Sequence, residues 1–273
     1  MTVSFFSDKL LEDVILKIGS GSMTLFGFVM ICVAGFFAAF VDSMVGGGGM
    51  ISIPALMATG IPTHLALGTN KFAASSGSIS SVYHYFKSGT LEKKILLPLL
   101  PLSLIGSALG VLAVLAINPN FLKVLIIVLV SIMIVYNLLN KNLGMVDTYE
   151  SHTSHDQLKA QGFTFTIGFY DGFFGPGTGS FFIIMLIHIF KVDFKRAAAN
   201  AKTLNLASNI AALVVFAFSG QIYFLIGIPM AISMILGAKV GTRFALKKGA
   251  KWIKPIFNVV SISLVLKLLI EGL

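Results

Sequence analysis

The chain has 273 residues, of which 56% are hydrophobic and 11% charged, with a net charge of +9 and a mean hydropathy of +0.92. Soluble domains carry about 25% charge, and a soluble fold of this size could not bury so much apolar surface, which excludes a water-soluble enzyme or binding module. The single cysteine, Cys32, excludes an internal disulfide framework and a cysteine-based metal site.

In chain order, residues 1–20 lack the clean apolar stretch of a cleavable leader. Phe6, Leu10, Val14 and Ile18 recur near helical spacing, which fits an amphipathic interfacial segment, with a frayed terminus as the alternative. An apolar run predicts a membrane helix over 24–45. It carries Asp42 and ends on Gly46, Gly47, Gly48 and Gly49. The next segment, 48–60, is short: about 12 residues reach ~18 Å, too little for a ~30 Å hydrocarbon core. Segments follow at 65–86, bearing Thr69, Asn70 and Lys71, then at 94–117 and 121–140. The polar stretch 141–160 reads as a linker. Beyond it come 162–175, 179–190, 196–218, 221–246 and 253–271.

The two halves resemble each other. A shift of 131 residues aligns Lys71 with Lys202, Gly89 with Gly220, Pro98 with Pro229, Gly106 with Gly237 and Gly110 with Gly241. Upstream, a two-residue slip aligns Asp42 with Asp171, Gly46 with Gly175 and Gly48 with Gly177. Glycine and proline set backbone geometry, so these matches point to a shared fold rather than shared composition. The expected fold is an all-α polytopic membrane protein with two inverted-topology repeats. Each is a glycine-tipped helical hairpin with a short half-helix plus three transmembrane helices. The organisation is 1–20 N-terminal segment, 21–140 repeat one, 141–160 linker and 161–273 repeat two.

The inversion is read from charge. Repeat one has Lys87, Lys93 and Lys94 between its third and fourth segments, where repeat two has "SGQIY". Between the fourth and fifth, repeat two has Arg243, Lys247, Lys248, Lys251 and Lys254, where repeat one has one lysine. Lys and Arg favour the cytoplasm, so the linker and these basic connections should lie inside a plasma membrane, with both termini outside. The same rule accounts for the net positive charge, and nucleic acid is not an expected partner.

The glycine runs sit at hairpin tips near mid-membrane. Irregular backbone is tolerated there only when buried in protein or lining a cavity. Each tip also begins a half-helix, whose N-terminus offers free N–H donors and a positive dipole end to an anion. Glycines can alternatively serve close helix packing; "GSALG" at 106–110 and "GAKVG" at 237–241 fit that role better. The candidate anion-binding residues are Gly46, Gly47, Gly48 and Gly49 with Thr69, Asn70 and Lys71, and Gly175, Gly177 and Gly179 with Lys202, Thr203 and Asn205. An intramembrane lysine is costly and usually functional, although one near a helix end can snorkel outward. Asp42 and Asp171 could carry protons, pair with the lysines or brace the turns. Ser75, Ser76, Ser78 and Asn209 lie further along and could line a path or pack helices. His84 and His188 share no repeat position and read as structural; no metal or cofactor is expected.

"GFFAAFVDSMVGGGGMISIPALMATGIPTHLALGTNK" resembles the signature of the sulfite exporter TauE/SafE family, and "GFYDGFFGPGTGSFF" resembles that family's second motif. The resemblance implies transport of a small anion of sulfur or an organic acid across a bacterial plasma membrane. It maps the family's glycine-rich motif onto Gly46 to Gly49 and its Asn-Lys pair onto Asn70 and Lys71. The second copy departs, with "NAKTLN" in place of a clean Thr-Asn-Lys. The leading expectation is a secondary transporter, in the direction of export, for an oxyanion such as sulfite or an organosulfonate. It would work by alternating access and could assemble as a homodimer. No Walker-type phosphate loop is present to supply ATP drive. The alternatives are a passive anion channel and, more remotely, an intramembrane enzyme using Asp42 and Asp171.

Overall fold

The computed structural model describes residues 25–128, apart from 123, and 154–248. The 1–20 segment, most of the 141–160 stretch, the greater part of 121–140 and all of 253–271 lie outside the described residues. Among those described, the regular structure is helical: α1 (Leu25–Val45), α2 (Gly49–Met57), α3 (Thr63–Lys87), α4 (Lys93–Leu96), α5 (Leu100–Leu115), α6 (Pro119–Val128), α7 (Ser154–Phe173), α8 (Thr178–Phe190), α9 (Phe194–Phe218) and α10 (Phe224–Lys248).

Three of these, over Gly27–Val45, Phe194–Phe218 and Phe224–Lys247, are long and apolar enough to cross a bilayer on composition alone. α3 is as long as α9, at 25 residues, but less apolar, because "GTNKFAASSGSISS" runs through it. Most of those polar side chains are buried inside the protein. The outside is apolar instead: Val29, Val33, Ile79, Phe86, Ile105, Leu112, Ile228 and Ile232 are all exposed. In water so large a patch would drive association; against lipid it is ordinary surface. The chain is therefore a polytopic helical membrane protein.

Two segments differ from the sequence expectation. The predicted 94–117 helix is broken into α4 and α5, with turn residues at 97–99. Pro98 lies within that turn and Pro101 just after it, and each removes a backbone donor from an α-helical ladder. Its counterpart α10 holds the single Pro229 within the helix and continues through it. The second difference is α7, which begins at Ser154, inside the stretch read as linker. Asp156 in its first turn suits the positive end of the helix dipole, so part of the polarity belongs to a helix start.

Packing is exchanged between the halves. α1 lies against α10, and α7 lies against α5. The contacts correspond residue by residue. A Cβ on Gly237 would overlap the carbonyl of Phe36, and one on Gly241 the carbonyl of Phe40. A Cβ on Gly106 would overlap the carbonyl of Phe165, and one on Gly110 that of Phe169. These four glycines let helix backbones touch, as small residues do at membrane helix interfaces. Serines add hydrogen bonds across α5 and α9: Ser103 Oγ donates to the Leu204 carbonyl at 2.8 Å and Ser107 Oγ to the Ser208 carbonyl at 2.7 Å. α3 and α9 pack together at the centre, each also touching its own half's short helix, α2 or α8.

Candidate functional site

The two glycine tips meet. Gly46 and Gly47 take φ of 75° and 95°, and Gly175 and Gly177 take 96° and 83°, left-handed values that glycine alone adopts freely. The segments pass each other antiparallel. Gly46 lies against Gly179, Gly49 lies against Pro176, and Ser180 Oγ donates to the Val45 carbonyl at 2.7 Å. A Cβ on Gly179 would stand 2.6 Å from Gly46 Cα, which no side chain tolerates. α2 has 9 residues and α8 has 13, so each spans only about 14–20 Å at 1.5 Å per residue, too short to cross a ~30 Å hydrocarbon core. Tyr170 OH fixes the second tip by donating to the Pro176 carbonyl at 2.6 Å, and Thr178 Oγ1 donates to the Gly175 carbonyl at 2.7 Å.

Beside the tips sit two buried ion pairs, each joining one half to the other. Lys71 Nζ lies 2.8 Å from Asp171 Oδ2 as an ion pair and donates to Asn209 Oδ1 at 3.1 Å. Lys202 Nζ pairs with Asp42 Oδ2 and reaches Asn205 Oδ1 at 3.4 Å. The lysine side chains are 3% and 4% exposed, Asp171 is 2% and Asp42 17%. Neither lysine snorkels to the surface. Asp42 does two things at once: its Oδ1 accepts from the Gly48 N–H at 3.1 Å while Oδ2 holds Lys202. A carboxylate therefore already occupies the anion position between the N-terminus of α2 and an ammonium.

A cavity of ≈ 20 Å³ lies between the two pairs, lined by Asn70, Lys71, Asp171, Asn205, Asn209, Asp42, Gly49, Gly175 and Gly179 among others. A second of ≈ 20 Å³ adjoins the other side of the Asp42–Lys202 pair and is lined by Gly48, Ser52, Ser78 and Ser81. Each has room for about one water. The Asn70 Oδ1 is buried in the first with no hydrogen-bond partner among the described residues.

The sequence candidates do not all converge here. Thr69 Oγ1 accepts from the Tyr223 N–H at 2.9 Å, at the head of α10. Its repeat counterpart Asn200 does the same for the Glu92 N–H at 2.9 Å. Thr203 Oγ1 donates to the Ala199 carbonyl of its own helix at 3.0 Å. Gly46, Gly47 and Gly177 shape the turns without lining either cavity, and the Gly46 N–H is bonded to the Asp42 carbonyl at 3.2 Å. His84 and His188 each bond a carbonyl four residues back on their own helix. Ser52 and Ser81 line the second cavity and went unnoticed in the sequence. Their signal is spacing: Ser81 is three residues from Ser78 and seven from Ala74, on one helical face.

Two facing glycine-tipped hairpins, with ion pairs exchanged between halves in an apolar shell, are the build of a membrane transport protein rather than of a soluble catalyst. The chain belongs to the sulfite exporter TauE/SafE family, whose profile matches residues 31–268. It is 41% identical over 243 residues to the probable membrane transporter protein ORF9 of a Sinorhizobium species, covering 88% of this chain and 91% of that protein. It is 35% identical over 245 residues to a probable membrane transporter protein of Haemophilus influenzae, with 89% and 94% covered. It is also 35% identical over 241 residues to the probable membrane transporter protein YfcA of Escherichia coli K12, with 86% and 87% covered. All three relatives are named as transporters and none as an enzyme. No solved structure matches the chain.

Proposed function

We propose that this protein is a secondary transporter that moves a small oxyanion, such as sulfite or an organosulfonate, outward across the plasma membrane by alternating access. The observation that carries this is the pair of buried Lys–Asp contacts, Lys71–Asp171 and Lys202–Asp42, each linking one half to the other at the crossing of the tips. An ammonium beside a half-helix N-terminus suits an oxyanion, and Asp42 shows the arrangement holding a carboxylate. Because each intervening cavity takes about one water, an anion would enter only as a pair separates. Separating the pairs loosens one half from the other, which couples binding to movement.

Two inverted repeats are supported by the exchanged packing of α1 on α10 and α7 on α5, and by the matching Thr69–Tyr223 and Asn200–Glu92 contacts. Orientation is supported by charge. Arg196 pairs with Glu92 at 3.5 Å, and Lys195 and Lys247 share a cavity wall with Tyr85, so the basic connections gather at one end. The opposite connections, "ATGIPTH", "AINPN" and "SGQIY", contain no Lys, Arg, Asp or Glu. The basic end would be cytoplasmic. An inside-negative potential then favours anion exit by about 2.3 kcal/mol per charge at 100 mV.

The test is counterflow in liposomes with a panel of sulfite, organosulfonates and carboxylates. Saturable exchange of at least one oxyanion is expected. Exchange of none would overturn the reading.

A further inference from the structure

One face of α3 strings three spaces together. Lys71, Ala74, Ser78, Ser81 and Tyr85 follow at spacings of three and four, so they align along the helix. Lys71 and Ala74 line the cavity between the ion pairs. Ala74, Ser78 and Ser81 line the second cavity, with Lys202 and Asp42. Tyr85 lines a third, of ≈ 310 Å³, at the basic end with Lys195 and Lys247. Tyr85 itself is fully buried, its OH donates to the Ser43 carbonyl at 2.7 Å, and it stands one turn along α3 from Ser81 of the second space.

Ser78 stands out on this face. Its neighbours have committed hydroxyls: Ser75 donates to the Lys71 carbonyl at 2.7 Å, Ser76 to the Phe72 carbonyl at 3.2 Å and Ser81 to the Gly77 carbonyl at 3.3 Å on their own helix, and Ser80 to the Ile235 carbonyl of α10 at 3.3 Å. The Ser78 Oγ is 1% exposed as a residue and has no hydrogen-bond partner among the described residues, yet it lines the space beside Lys202. The repeat shift places Ser78 opposite Asn209, the residue whose side-chain amide oxygen Oδ1 accepts from Lys71. Ser78 thus holds at Lys202 the place that Asn209 holds at Lys71, with its hydroxyl uncommitted. Asp42 is also the more exposed of the two aspartates, at 17% against 2% for Asp171.

We propose that Lys202 and Ser78 form an entry subsite for the transported oxyanion, reached from the basic end along the Ser81–Tyr85 face of α3. The ammonium takes one anion oxygen as Asp42 swings away, and the Ser78 hydroxyl donates to another. The anion then passes Ala74 to Lys71, where Asn70, Asn205 and Asn209 complete its coordination. This subsite rests on the oxyanion-transporter reading above and adds an order of binding and a route to it.

The test uses full-length protein in liposomes, in a Cys32→Ser background, with single cysteines at Ser78, Ser81, Ile79 and Tyr83. Ile79 and Tyr83 are 55% and 52% exposed on the outer face and serve as lipid-facing controls. The reagent is 2-sulfonatoethyl methanethiosulfonate, a small anionic sulfonate that reacts with the thiolate. At positions 78 and 81 it should react about tenfold or more faster than at 79 and 83, since thiolate forms only where water reaches. A transported organosulfonate, which does not react with the reagent, should slow the reaction at 78. Equal rates at all four positions would overturn the route. Should Ser78→Cys not fold, Ser78→Ala should raise the KM for the anion about tenfold, the loss of one hydrogen bond to a charge, while Ser75→Ala leaves it unchanged. An unchanged KM in Ser78→Ala overturns the subsite. A Cys32→Ser parent that carries no oxyanion sinks the transporter reading itself, whatever the labelling shows.

Discussion

Replacing Lys71 by methionine separates a structural ion pair from a functional one. The substitution removes the 2.8 Å contact to Asp171 and the 3.1 Å hydrogen bond to Asn209, and leaves a carboxylate with 2% exposure unpaired. Breaking one side of a buried pair costs about 3–5 kcal/mol. At roughly 2–4 °C per kcal/mol, the fall in Tm is on the order of 10 °C. Replacing both partners with apolar residues of similar size is neutral or even stabilising by about 1–4 kcal/mol. The double variant Lys71→Met with Asp171→Leu should therefore recover most of the lost Tm. If Lys71 only staples the halves together, transport recovers with it. If Lys71 receives the anion, transport stays at background although the fold is restored. The assays are thermal unfolding in detergent and counterflow in liposomes on the same preparations. A double variant with restored Tm and wild-type flux would refute the reasoning.

Gly179→Ala should destabilise by about 1–3 kcal/mol, the usual range for forcing a methyl into a packed site, because Gly46 Cα blocks its Cβ. Gly60→Ala meets no atom within 4 Å and should cost only about 1 kcal/mol for its φ of +79°; unfolding in detergent compares them. Thr69→Val loses the bond to the Tyr223 N–H and should lower stability by about 1 kcal/mol with KM unchanged, as measured by counterflow. Asn70→Ala, at the cavity, should instead raise KM. In a Cys32→Ser background, cysteines at Ser88 and Gln221 should be labelled from opposite sides of oriented vesicles; labelling from the same side would remove the inverted arrangement.

Much of the helix pattern is written locally. The predicted 24–45, 65–86 and 196–218 fall within two residues of α1, α3 and α9 at either end, because apolar length and short glycine-rich breaks are properties of the chain itself. The glycines of both tips were legible for the same reason: several take positive φ, and Gly46 and Gly179 leave no room for a Cβ. Partner choice was not. The repeat shift pairs Asp42 with Asp171 as equivalents, but only the folded arrangement sets Asp42 against Lys202 and Asp171 against Lys71. Direction around a helix was the other loss. Thr69 neighbours Asn70 and Lys71 in sequence, yet one residue turns it about 100° away, to the Tyr223 N–H. The break before α5 was readable in Pro98 and Pro101. The start of α7 was hidden because its first turns are polar and resemble a linker.

The central claim is that Lys71 and Lys202, at the crossing of two glycine tips, receive the transported anion. It is tested most directly by sulfite counterflow in liposomes with Lys71→Ala and Lys202→Ala combined, beside wild type and the stability-restored Lys71→Met, Asp171→Leu variant. Saturable exchange by wild type alone is the predicted result. Exchange at the wild-type rate by the double-lysine variant would contradict it.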